Sequence, residues 1–225
     1  MPTTPFARRA CAAAILAGGR ATRLHGADKG GLLVGGRTIR DRQIEALSGL
    51  VDDIVLIGGP AADPGPDAGP DDRAGLRRIP DLAAARGPLG GIQTALHHAG
   101  DAACTLIVAC DLPFVSRPFL AFLLARALEA GAADVVVPRS GNRLHPLCAT
   151  YNRRVRAAVD RRVASGALAV QALFDEVRVD VIEPEVVATF DPDGVMFWNV
   201  NTPDEYERAC ARTAAWKRKI MMQVC

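Results

Sequence analysis

Gly18 and Gly19, followed by Arg20, Arg23 and Lys29, concentrate backbone freedom and positive charge in the stretch LAGGRATRLHGADKGG. Glycines let a ligand approach backbone amides closely, and nearby cations neutralise phosphate charge, so this loop suits a polyphosphate. Neither G-x-G-x-x-G nor G-x-x-x-x-G-K-[ST] is present, so dinucleotide binding and the P-loop are unsupported. Standing alone, the loop reads equally as a turn with solvated cations. Asp111 gives it company. In ACDLPF it closes an apolar run, and a carboxylate at the carboxyl edge of a parallel strand is placed either to hold magnesium over phosphates or to cap the next helix. PDLAAARGPLGGI adds a second glycine turn, Gly87 to Gly91, with Pro88 suited to a first helical position and backbone N–H groups able to meet an acceptor.

Two later segments carry polar groups with competing readings. His145 before Pro146 in RLHPLCATY reads, from the residues alone, as a strand histidine satisfied by a backbone carbonyl. Asn199 and Asn201 alternate by two, so a strand over FWNVN would present both amides on one face to a polar ligand. The competing reading is a turn in which Thr202 caps the last helix and Pro203 begins it.

The elements that must position these groups are visible as short apolar runs near 12–17, 53–58, 104–110 and 133–138, without the alternation of half-exposed strands. Between them, TIRDRQIEALSGL, GPLGGIQTALHHA and RPFLAFLLARALEA have helical spacing; in the first, Ile39, Ile44, Leu47 and Leu50 can share a face. Alternating strands and helices imply an α/β chain with a doubly wound, mostly parallel sheet and ligands at the strands' carboxyl ends. One domain is expected over 11–210, with tails at 1–10 and 211–225; the basic amphipathic end reads as a peripheral helix or a frayed tail. The Pro-Gly-Asp-rich segment 59–75 reads as a mobile surface loop, and its aspartates lack the ligand pattern of a calcium loop.

Composition bounds the function. A net charge of +2 gives no general reason to expect nucleic acid or an anionic membrane. No apolar run approaches the roughly 20 residues that span a bilayer. The leader-like start, with Arg8 and Arg9 before ACAAAILA, runs into a glycine-arginine loop and reads better as a buried first strand. The 6 cysteines show no CxxC spacing and several sit in apolar runs, so reduced thiols in a cytoplasm are expected rather than disulfides or a zinc site.

LAGGRATRL, DKGG, PDLAAARGPLGG, CDLPF, RLHPLCATY and NVNTPDEY resemble, in order and approximate spacing from Ala12 to Tyr206, the molybdenum cofactor guanylyltransferases, or MobA-like nucleotidyltransferases. The first loop is shared with sugar-phosphate nucleotidyltransferases; GPLGG, HP and NVNTP narrow the match. The resemblance implies a Rossmann-like three-layer α/β/α fold and transfer of GMP from GTP to the molybdenum-molybdopterin cofactor, with Mg2+. It sets the nucleotide against Leu16, Ala17, Gly18, Gly19, Gly26, Lys29, Asp81, Gly87, Pro88, Gly91 and Asp111. Lys29, Arg23 and Asp111 take the catalytic roles, Asp111 that of metal ligand and Asp81 that of guanine reader. His145, Pro146, Asn199 and Asn201 fall on the molybdopterin side. The partners implied are GTP, the molybdopterin cofactor, molybdenum-insertion proteins and molybdoenzyme chaperones. Two departures stand out: His25 where a glycine is usual, and Ile57-Gly58 where some relatives carry a polar residue near the ribose. The rivals are the related cytidylyltransferase, a sugar-phosphate nucleotidyltransferase, and a catalytically silent nucleotide-binding regulator.

Overall fold

The computed structural model describes residues 11–17, 29–58, 76–83, 85–129 and 131–224, with 217–224 described by backbone only. Segments 1–10 and 59–75, and with them Gly18, Gly19, Arg20, Arg23, His25 and Gly26, lie outside the described residues.

The chain runs β1 (Cys11–Leu16), β2 (Leu33–Val34), β3 (Arg37–Thr38), α1 (Ile39–Leu47), β4 (Ile54–Ile57), β5 (Arg77–Ile79), α2 (Gly87–His98) and β6 (Cys104–Ala109). It continues through α3 (Arg117–Ala127), β7 (Val135–Ser140), β8 (Arg143–Leu144), β9 (Cys148–Asn152), α4 (Arg156–Ser165), β10 (Val179–Ile182), α5 (Pro184–Phe190) and α6 (Pro203–Val224). The main sheet is ordered β10-β7-β9-β6-β1-β4-β5, with β8 paired to β7. Along that path every pairing is parallel except the two that β9 makes, with β6 and with β7, so the expected mostly parallel sheet carries one reversed strand.

Alternation along β1 divides the core between the two faces. Ala13 and Ile15 pack with Leu47 of α1 and Phe119, Leu120 and Leu123 of α3, whereas Ala14 and Leu16 pack with Leu89, Ile92 and Leu96 of α2 and Val159 of α4. Helices on both faces explain why β1 and β6 are buried along their whole length and read as uninterrupted apolar runs. The helices begin where local chemistry allows: Thr38 Oγ1 accepts from Asp41 N at the start of α1, and Ser116 Oγ from Phe119 N at the start of α3.

One expectation changes. Cys11 and Cys104 stand opposite each other in the parallel register of β1 with β6 and form a disulfide, with Cα atoms 4.8 Å apart, where reduced thiols were expected. The sequence shows neither residue's strand register, and register is what brings the sulfurs together. The pair lies at the amino ends of the strands, away from the edge where the loops of interest emerge. Of the two readings of the chain's basic end, the helix is the one the structure has: residues 211–224 continue α6, Thr213 is buried and the Trp216 ring meets Phe114 edge-on at 5.4 Å.

Candidate active site

Registers align the carboxyl ends of four neighbouring strands: Leu16 of β1 faces both Ile57 of β4 and Ala109 of β6, and Ile57 faces Ile79 of β5. Whatever follows these residues must gather along one edge. Lys29, Asp81, Gly87, Pro88, Gly91 and Asp111 do so, lining one cleft with Leu16, Ile57, Ala109, Cys110 and Leu147.

Asp111 rides on a tight turn in which Leu112 N reaches back to Ala109 O at 3.4 Å. The turn is tied to β1 by Cys110 N donating to Leu16 O (3.1 Å) and to the segment before α6 by Val200 N donating to Asp111 O (2.9 Å). Burial pushes the Asp111 carboxyl above the usual carboxylate range, against the opposing pull of Lys29 and of a hydrogen bond from the Asn201 side chain. Its Oδ1 is buried and has no hydrogen-bond partner. Lys29 Nζ donates to Asn201 Oδ1 at 2.5 Å, so one amide holds both the ammonium and the carboxylate.

Segment 197–201 is irregular rather than a strand, and Asn201 joins Lys29 and Asp111. The helix-start reading of the same residues also holds. Thr202 Oγ1 accepts from Glu205 N (3.3 Å), while Glu205 Oε2 accepts from Asn201 N (2.7 Å) and Thr202 N (3.0 Å), a reciprocal cap that fixes Asn201.

Asp81 follows β5 at the rim of the cleft, exposed on one side, and partial burial raises its carboxyl above the ordinary value. Gly58 backs onto it: φ is +77°, and a Cβ there would sit 3.0 Å from Asp81 Oδ2. The Ile57-Gly58 departure therefore leaves room for the carboxylate. Thr94 of α2 ties down the same loop, accepting from Leu82 N and donating to Gly90 O, both at 3.0 Å. Leu82 itself is 62% exposed and extends an apolar rim beside Asp81. No side chain caps the start of α2, which leaves its first N–H groups for an acceptor in the cleft. A Cβ on Gly91 would stand 3.4 Å from Leu16, so a small residue is what lets α2 approach β1.

His145 and Pro146 are not among the residues lining the cleft; their neighbour Leu147 is. The His145 ring stacks on Phe197 at 3.9 Å, its Nε2 shares a hydrogen bond of 2.6 Å with Ser140 Oγ, and Pro146 O accepts from Tyr151 Oη at 2.8 Å. Burial, with help from Arg143, lowers the His145 pKa to about 4, so the ring is neutral at physiological pH. The sign follows: between the unfolded value of 6.5 and about 4 the unfolded chain binds a proton that the folded one refuses, so stability is lost as pH falls through that window. Discounted for the solvent-facing part of the ring, the loss is about 1 kcal/mol. Urea melts at pH 7 and 4.5 should show it in the wild type and show less of it in His145→Phe.

Sequence reasoning missed Gln43, Thr94 and Leu147. Gln43 had a signal: it sits four residues after Ile39 and four before Leu47, where an apolar residue is expected.

Lys29 after the first strand, a carboxylate after a neighbouring strand and an uncapped helix start in one cleft are the arrangement of an α/β nucleotide-binding transferase. The chain belongs to a family of this class, matching the MobA-like NTP transferase domain over residues 13–197. It is 33% identical over 203 residues to the molybdenum cofactor guanylyltransferase of Desulfosudis oleivorans, covering 89% of this chain and 95% of the relative. Among solved structures it is similar to molybdopterin-guanine dinucleotide biosynthesis protein A from Archaeoglobus fulgidus, with a TM-score of 0.74 and 26% identity, covering 90% of this chain and 98% of the other.

Proposed function

We propose that this nucleotidyltransferase moves GMP from GTP to the terminal phosphate of molybdenum-carrying molybdopterin, giving the guanine dinucleotide cofactor and pyrophosphate. The observation that carries the reading is the joining of Lys29, Asn201 and Asp111, with its unpaired buried oxygen, in a cleft that Asp81 also lines. β6 and β5, which these aspartates follow, are three places apart in the sheet, roughly 14 Å at the usual strand spacing. An extended nucleotide bridges that distance, base toward Asp81 and phosphates toward Asp111. The names of the relatives support the same substrate pair.

In this reading an oxygen of the acceptor phosphate attacks the α-phosphorus, the bond to the bridging oxygen breaks, and its electron pair leaves with pyrophosphate. The acceptor is already anionic near neutral pH, so positioning and charge neutralisation dominate. Lys29, held by Asn201, supplies positive charge to the triphosphate, and Arg23 does so from the glycine loop. Among the described residues no three His, Cys, Asp or Glu side chains gather as a metal cluster. Asp111, with its unpaired buried oxygen, is the residue that would hold Mg2+, a hard cation suited to a single carboxylate beside substrate phosphates. Bound there, the ion would neutralise phosphate charge during transfer. The acceptor would enter past Leu147, which lines the cleft and is followed in the chain by β9, with His145 and Pro146 next to it in sequence and Asn199 two residues from Asn201.

The reading sets the protein in the cytoplasm with its nucleotide substrate. Its protein partners are molybdenum-insertion proteins and molybdoenzyme chaperones. No described helix is long and apolar enough to cross a membrane.

The test is a thermal-shift comparison of GTP, CTP, ATP and UTP with Mg2+, followed by pyrophosphate release with the molybdopterin acceptor. GTP at a hundred times its Kd should add about 2.7 kcal/mol of stability. Preference for CTP would favour the cytidylyltransferase, turnover only with a sugar 1-phosphate the sugar-nucleotide enzyme, and GTP binding without turnover the silent regulator.

A further inference from the structure

Gln43 is fully buried on α1, which also buries Ile39, Arg40, Ala46 and Leu47. Its Nε2 donates both hydrogens, to Ala109 O at 2.7 Å and to Leu112 O at 3.0 Å. Those carbonyls are the first and last of the turn that carries Asp111, and the turn's own closing bond is long, at 3.4 Å. Gln43 Oε1 is buried without a partner. Leaving a buried acceptor unsatisfied is unfavourable, and a methionine would fill a similar volume without it, so packing does not account for glutamine here. What the amide does, and an apolar side chain does not, is bind the two ends of the turn to a rigid helix.

The turn is then held from three directions: by β1 through Cys110 N, by the segment before α6 through Val200 N, and by α1 through Gln43. We infer that Gln43 is a positioning residue for the Asp111 carboxylate, fixing the 109–112 turn so that Asp111 meets a phosphate-bound divalent cation in one orientation. The inference deepens the proposed function and rests on it for the role of Asp111. Sites of this kind lose activity when a supporting shell lets a ligand drift by an ångström or less.

The experiment uses the full chain and the variants Gln43→Met and Gln43→Glu. Mn2+ binding to the protein–GTP complex is followed by electron paramagnetic resonance, and amide exchange at Leu112 and Val200 by NMR. Pyrophosphate release is measured against metal at saturating GTP and against GTP at saturating metal. Removing a residue that orients a metal ligand typically costs ten- to a hundredfold in metal affinity. Gln43→Met should therefore weaken Mn2+ binding by at least about tenfold, speed exchange at Leu112, and raise the metal requirement while the KM for GTP changes little. Glutamate keeps the chain length and at most one donor, so the expected order of Mn2+ affinity is Gln, Glu, Met; if the methionine variant does not fold, the Gln–Glu comparison decides. Unchanged Mn2+ affinity with unchanged exchange at Leu112 would overturn the inference, as would equal losses in metal and GTP affinity, the mark of a general loosening. Failure of the wild type to bind GTP or release pyrophosphate would sink the proposed function instead, and exchange at Leu112 in the variants would still report whether Gln43 holds the turn.

Discussion

Asp111→Asn is expected to lower pyrophosphate release by at least about a thousandfold, to retain measurable GTP binding, and to melt at a higher temperature than the wild type. The three effects share a cause. In the folded protein burial raises the Asp111 pKa, with Lys29 and Asn201 only partly offsetting it. The sign follows from linkage: the folded carboxyl holds its proton to higher pH than the unfolded one, so stability falls as pH rises from the ordinary carboxylate value to the raised one, and stays lower above it. Asparagine removes that ionisation and its cost. It also replaces an oxygen able to ligate a cation with a neutral amide, while Lys29, Asp81 and the start of α2 still line the cleft for GTP. Activity and stability therefore move in opposite directions, as expected for a charge kept buried for function. Melting curves from pH 4 to 7, run beside equilibrium GTP binding and turnover at several Mg2+ concentrations, check it. Full activity at low Mg2+, or an asparagine variant less stable than the wild type at pH 7, would remove Asp111 from this role.

How much of this could be read from sequence differs by element. β1, β4, β6 and β7 were legible because strands covered on both faces must be apolar throughout, and such runs need no knowledge of their partners. β9 was not: CATYN carries nothing to mark it as the reversed strand between β6 and β7, since direction is settled by the connection and not by composition. β5, Arg77–Ile79, is three residues at the sheet edge with two arginines, too short and too polar to announce itself. At the site, Lys29 and Asp111 stand out as charged residues beside glycines or a strand end, whereas Asp81 came only from the family resemblance, and the strand registers explain why such positions converge. Asn201 was visible but its company was not, because its partners Lys29 and Asp111 are distant in sequence. Gln43 and Thr94 act on backbone carbonyls and amides, which every residue possesses, so neither leaves a motif. Cys11 and Cys104 were hidden because their pairing depends on the register of β1 with β6, which composition does not show.

Asp81→Asn is expected to weaken GTP about a hundredfold or more and to leave the weaker binding of ATP nearly unchanged, erasing most of the discrimination between them. The argument is one of donors and acceptors. The guanine edge offers N1–H and the 2-amino group, both donors, and a carboxylate accepts from both; an amide presents one acceptor and one donor, so a donor is turned toward a donor. Adenine lacks that pair, so little is lost with it. The raised pKa of Asp81 adds a pH signature: with Asp81 as the proposed guanine reader, GTP affinity should fall as pH drops through the raised value, sooner than an ordinary carboxylate predicts, while ATP affinity stays flat. Gly58→Ala gives an independent approach to the same group, because its Cβ would press on Asp81 Oδ2 at 3.0 Å from a backbone with φ of +77°. It should reduce discrimination in the same direction with Asp81 chemically intact, alongside a modest loss of stability from the strained conformation. Competition of GTP, ITP and ATP against a fluorescent nucleotide separates the donors, since ITP keeps N1–H and lacks the 2-amino group. The wild type should rank GTP above ITP above ATP, and Asp81→Asn should compress that ranking. A variant that still prefers GTP over ATP by the wild-type factor would assign base reading to another group in the cleft, with the N–H groups at Gly87 and Gly91 the next to test.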